Sequence, residues 1–139
     1  MKERKARVVP LSSQALSIIE AQRQRVATDC EFVFPGRQSK NQAISDMTLN
    51  IALKRLGFGS DVIVPHGFRH TASTFLNDQR VTDADGNPMA FRPDAVERQL
   101  SHVPTGVRGV YNKAEYIAER THMMQAWADF LDQIKDRDS

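Results

Sequence analysis

The side chains with the most chemical reach in this sequence are His66, Arg69, His102 and Tyr111, set within HGFRHTAST and LSHVPTGVRGVYN. An arginine offers a rigid fork of donors to phosphate oxygens, a histidine exchanges a proton near neutral pH, and a tyrosine hydroxyl can attack phosphorus. Arg69 follows His66 by one helical turn, so a helix opening at Pro65-His66-Gly67 puts both on one face. The set suits phosphoryl transfer. A lone His-x-x-Arg on a helix is ordinarily a cap or core group. Against that stand the Ser101-His102 pair and a tyrosine nine positions after His102.

The elements that must hold these residues follow from apolar spacing. Phe68, Ala72, Phe75 and Leu76 step by three and four, which predicts a helix from His66 to about Asn77 with those residues in the core and His66, Arg69 and Ser73 on other faces. Upstream, Ser12 or Ser13 caps a helix with Leu16, Ile18 and Ile19 inward, running to about Val26. Phe32-Val33-Phe34 reads as a short extended segment turned by Pro35-Gly36, and 37–41 as a polar loop. Ser45 caps the next helix, which turns Leu49, Ala52, Leu53 and Leu56 inward and stops at Gly57. Lys54 and Arg55 lie off its apolar stripe.

Downstream, RVTDADGNPMAFR breaks periodicity, and residues 80–91 read as a surface insertion. Pro93 opens a helix through Val96 and Leu100 that ends before His102, and Thr105 caps a short helix carrying Tyr111. Ile117, Met124, Trp127, Phe130, Leu131 and Ile134 then recur at helical intervals, predicting a terminal helix over 115–135. At the other end, Arg7-Val8-Val9 is a short β-type run stopped by Pro10, the second arm of a hairpin.

With 139 residues, 40% of them hydrophobic, one core is expected, hence one domain over 1–139. A net charge of +2 permits nucleic-acid binding without requiring it. Lys2, Arg4, Lys5 and Arg7 against a single Glu3 make the amino-terminal stretch the better DNA-facing candidate. Cys30 stands alone, which excludes an internal disulfide and a thiolate zinc site. No apolar run approaches the ~20 residues a bilayer crossing needs, so the expectation is a soluble, cytosolic chain without membrane contact.

The order lysine, His-x-x-Arg, His, Tyr resembles the catalytic domain of the tyrosine recombinases, the phage-integrase family, and most of all its prophage and genomic-island branch. The resemblance covers nearly the whole chain. It implies a mainly α fold with a small β-hairpin or sheet (α+β), here an amino-terminally truncated catalytic domain. It implies site-specific DNA strand exchange in which Tyr111 attacks a backbone phosphate, leaving a 3′-phosphotyrosine bond and a free 5′-hydroxyl. His66 would accept the phenolic proton, Arg69 and His102 would hold the equatorial oxygens, and Lys2, eight residues before Pro10, would protonate the leaving 5′-oxygen. From the bare sequence Lys2 is a solvated terminal charge.

Arg4, Lys5, Arg7, Lys54 and Arg55 are the DNA-binding candidates. The implied partners are double-stranded DNA attachment sites and further copies of the protein in a recombination tetramer on DNA, in the bacterial cytoplasm at the nucleoid. No cofactor or metal is implied. The chain departs from the family in its longer 80–91 segment and in lacking, ahead of Lys2, the helix that carries the family's first arginine. Tyr116 is a rival nucleophile without the nine-residue spacing from His102. Two other readings are a non-catalytic DNA-binding remnant and a metal-dependent hydrolase using His66, His70 and His102. In the latter, Gly67 stands where a zinc-protease helix has its glutamate.

Overall fold

The computed structural model describes residues 7–100 and 116–137. Within them the helices are α1 Ser13–Arg25, α2 Asp46–Arg55, α3 Pro65–Asn77, α4 Pro93–Gln99 and α5 Ile117–Arg137. Extended pairing among the described residues is confined to two isolated antiparallel bridges, Pro35 with Ala43 and Thr82 with Pro88. The hairpin expected at the amino terminus is not confirmed: its first arm lies outside the described residues, and Arg7–Leu11 is irregular. Pro10, which cannot donate to a ladder, accounts for the second arm's failure to extend.

The chain divides into two compact units. One is Ser13–Ala72, holding α1, α2 and the first turns of α3. The helix α2 ends as its sequence demands. Gly57 sits at φ +92°, a left-handed conformation that costs glycine least. The turn is closed by Phe58 N–H on the Leu53 carbonyl (3.0 Å) and Gly57 N–H on that of Lys54 (3.1 Å). No described residue of this unit is fully buried. Leu16, Ile18, Leu49 and Leu56, expected to face inward, are exposed, and Phe68 is 55% exposed. Spacing assigns apolar residues to a common helix face; burial needs a neighbour across that face.

The other unit joins the described residues before Ser13 to those from Ser73 onward. Its core is Leu76, Val81, Val96, Leu100, Met123, Ala126 and Phe130, with Phe75, Met89, Phe91, Met124 and Trp127 packed against it. Each fully buried apolar side chain contributes about 1.5–3 kcal/mol. Phe75, Trp127 and Phe130 form an aromatic triad with centroids 5.8–6.0 Å apart. Along α5 the buried positions are Arg120, Met123, Ala126 and Phe130, one residue round from the expected stripe, so that Leu131 and Ile134 are exposed.

The 80–91 segment is an ordered turn with its roots in this core. Val81 is fully buried, Met89 and Phe91 pack on the core, and Met89 N–H donates to the Val81 carbonyl (2.8 Å). Only the tip is surface. There the Asp83 carboxylate accepts the N–H groups of Asp85 and Asn87, both at 2.9 Å, and the Asn87 side-chain amide. The Asn87 backbone N–H, then its side chain, hold the Asp83 carboxyl below the ordinary carboxylate range.

Candidate active site

The amino-terminal turns of α3 carry the described part of the site. Pro65 at the head of the helix presets the backbone dihedral there. A Cβ at Gly67 would sit 3.2 Å from the Ile63 side chain, a tight approach that glycine avoids as the first turn closes. Gly67 N–H donates to the Val64 carbonyl at 2.7 Å and Thr71 Oγ1 to the Gly67 carbonyl at 3.0 Å. His66 and Arg69 thereby stand one turn apart on a regular helix, as the spacing predicts.

Their surroundings differ. His66 is exposed, whereas Arg69 is half-buried with its Nε shut off from solvent and without a hydrogen-bond partner among the described residues. A buried guanidinium donor left open is unfavourable for the fold. It is also ready to meet an anionic oxygen without first shedding water. His70, next along the helix, is exposed.

His102 and Tyr111, with Lys2, Arg4 and Lys5, lie outside the described residues. The chain on either side of 101–115 is fixed by a network that sequence reasoning missed. Arg92 N–H, at the head of α4, donates to Glu119 Oε1 (2.8 Å), and the Arg92 guanidinium lies 5.9 Å from the centre of the Tyr116 ring. Arg120, fully buried, donates from Nε to the Gln99 side-chain oxygen (2.9 Å) and from a terminal nitrogen to the Val8 carbonyl (2.8 Å). The available signal was a charge at 120 in register with Met123, Ala126 and Phe130.

Arg7, expected to face DNA, is half-buried and donates its guanidinium to the Gln99 carbonyl at the end of α4. A helix's last carbonyls lack intrahelical donors, which explains the attraction. Lys54 and Arg55, expected to face DNA, occupy the last turn of α2 and are exposed. Lys40 pairs with Asp29. An open cleft lined by Ile19, Arg23, Val26, Cys30, Phe32 and Val33 includes none of the candidate residues. Among the described residues no group of three or more His, Cys, Asp or Glu converges, so His66 and His70 gain no third ligand there.

No helix among the described residues is long and apolar enough to cross a membrane. The family model for the phage integrase family matches residues 1–85. The chain is 42% identical over 134 residues to prophage integrase IntZ of Escherichia coli K12, covering 96% of the chain and 30% of that protein. It is 41% identical over 132 residues to prophage integrase IntA of the same organism, covering 94% of the chain and 29% of the relative. To the integrase of Shigella phage Sf6 it is 37% identical over 134 residues, covering 96% and 32%. The chain thus spans about a third of the length of these relatives and matches their carboxyl-terminal part. No solved structure matches it significantly. A family match over more than half the chain, with prophage integrases aligned along nearly all of it, establishes that this chain belongs to the phage integrase family.

Proposed function

We propose that the chain is the carboxyl-terminal part of a tyrosine-type site-specific recombinase, which integrates DNA by cutting and rejoining strands through a 3′-phosphotyrosine intermediate at Tyr111. The observation that carries this reading is the orphaned, buried Nε of Arg69, one turn from His66 on α3, in a chain of integrase lineage. Tyr111 Oη bonds to phosphorus, the P–O5′ bond breaks, His66 takes the phenolic proton and Lys2 gives one to the departing O5′. Arg69 and His102 hold the negative charge that gathers on the equatorial oxygens. A 5′-hydroxyl of the partner strand reverses the step. The phosphodiester energy is conserved, so the reaction needs no nucleotide.

The substrate on this reading is a pair of double-stranded attachment sites, held by a protein tetramer, with Lys54 and Arg55 on the phosphate backbone. Arg4 and Lys5 would join them there. Tested by itself, this stretch of 139 residues, which spans about a third of its relatives' length, binds duplex DNA weakly and does not recombine, because the family's site needs a further arginine from a preceding helix. Removing one such donor costs on the order of a hundredfold to a thousandfold in rate.

The test is a hybrid in which the preceding part of the IntZ protein is joined ahead of Met1 and incubated with a nicked attachment-site duplex. A covalent protein-DNA product is expected, lost in Tyr111→Phe with binding retained and kept in Tyr116→Phe. Mapping of the linkage to Tyr116, or DNA binding with no covalent product, overturns the assignment; the second outcome favours a non-catalytic DNA-binding role.

A further inference from the structure

We propose that Arg120 is a positioning residue, whose guanidinium fixes the chain leading into the segment bearing His102 and Tyr111 and, with it, the chain that follows Lys2. What those three residues do rests on the recombinase reading; the contacts of Arg120 do not. Its Nε donates to the Gln99 side chain at 2.9 Å, at the last residue of α4 and two residues before Ser101. A terminal nitrogen donates to the Val8 carbonyl at 2.8 Å, six residues beyond Lys2. The Arg120 backbone N–H donates to the Tyr116 carbonyl at 2.8 Å, five residues beyond Tyr111. Two stretches distant in sequence therefore meet on one side chain, whose own backbone is tied into the first turn of α5.

Other contacts repeat the pattern. Arg7 donates to the Gln99 carbonyl, so both arginines seize the same residue at the end of α4. Glu119 holds the Arg92 N–H while the Arg92 guanidinium covers Tyr116, which occupies a left-handed conformation at φ 48°. The chain thus enters and leaves 101–115 through restrained ends.

Stability alone does not call for an arginine at 120. The position is fully buried in line with Met123, Ala126 and Phe130, where an apolar side chain would avoid the desolvation of a guanidinium. What arginine adds is direction: a planar fork admits few arrangements of its acceptors, and so fixes where the Val8 carbonyl and the Gln99 side-chain amide lie. A misplacement of ~1 Å in a reacting group can cost about a hundredfold in rate. The clamp therefore bears on the rate of strand cleavage and leaves DNA affinity alone.

Hydrogen exchange on the 139-residue chain tests the clamp directly. In Arg120→Met, which keeps an unbranched buried stem without donors, exchange at residues 98–100, the helix end that the guanidinium braces, should rise at least about tenfold, while amides of residues 123–130 stay within about threefold. Arg120→Lys keeps the charge but has no fork, and should show the same pattern to a smaller degree; it decides the matter should the methionine variant fail to fold. A uniform rise across both regions, or none, overturns the proposal. In the IntZ hybrid at saturating nicked duplex, Arg120→Lys should slow covalent product formation at least about tenfold, with the apparent Kd within about threefold. An unchanged rate also overturns it. A hybrid that forms no Tyr111-linked product counts against the recombinase reading, and the exchange pattern still judges the clamp.

Discussion

Replacing Arg69 by methionine should make the chain more stable and the enzyme inactive. The buried Nε of Arg69 has no partner among the described residues, and an unsatisfied buried donor costs about 1–3 kcal/mol. Methionine keeps the apolar stem and removes the donor, at the expense of some packing by the outer guanidinium, which leaves a net gain of about 1 kcal/mol. Unfolding entropy of ~2.1 cal/mol/K per residue over 139 residues is about 0.3 kcal/mol/K, so the thermal midpoint should rise by about 3 °C. Circular dichroism melts of the two chains measure this. Added inorganic phosphate should raise the midpoint of the unsubstituted chain, by filling the open donor, and leave that of Arg69→Met where it is. In the IntZ hybrid the same substitution should lower cleavage by on the order of a hundredfold to a thousandfold. A midpoint that drops by more than about 3 °C would show that Arg69 supports the fold and would refute the reasoning.

Further substitutions probe the scaffold. Phe130→Ala removes a ring within 6.0 Å of both Phe75 and Trp127 and should cost about 3–5 kcal/mol in urea unfolding; a loss under about 1.5 kcal/mol would mean that this core collapses around the gap. Gly57→Ala forces a Cβ into φ +92° with no atom within 4 Å of it, so a purely conformational loss of about 1–2 kcal/mol is expected, smaller for Gly57→Asn; equal stability of all three would contradict the helix-end assignment. The Asp83 carboxyl, held below its ordinary 3.8 by Asn87, should titrate under that value by NMR. Its contribution to the turn is complete above the unfolded value and disappears as pH falls through the lower folded one, so turn amides stay ordered at pH 5 and loosen only below about 3.8; a midpoint at or above 3.8 would remove the argument.

Local signals in the sequence located the helices well. Gly57 and Pro93 act within one turn, and α1 to α5 begin and end close to the expected bounds, although Ser45 at the head of α2 makes no side-chain capping bond. The placement of His66 and Arg69 one turn apart on a helix was legible from the apolar spacing of α3. Burial was less so, because it depends on what lies opposite: Phe68 has core spacing but no cover among the described residues. On α5 the arginine at 120 disguised the true face, shifting the apparent stripe toward Leu131 and Ile134. No periodicity reveals that a charged side chain will be the residue joining Val8 to Gln99, since those acceptors come from chain far away in sequence. The 80–91 segment misled through composition, as its Asp, Gly and Pro residues mark a turn and say nothing of Val81 buried beneath it.

That turn also has a practical side. Its tip is held by a single carboxylate serving two backbone amides and a side chain, while its base is sealed by Val81 and Met89, so the exposed residues between are tied at both ends. A fluorophore or affinity label placed at Asp85 would ride on a rigid mount in solvent, and its motion would follow that of the core beneath it. The hairpin is in effect a built-in handle for observing this part of the molecule at work.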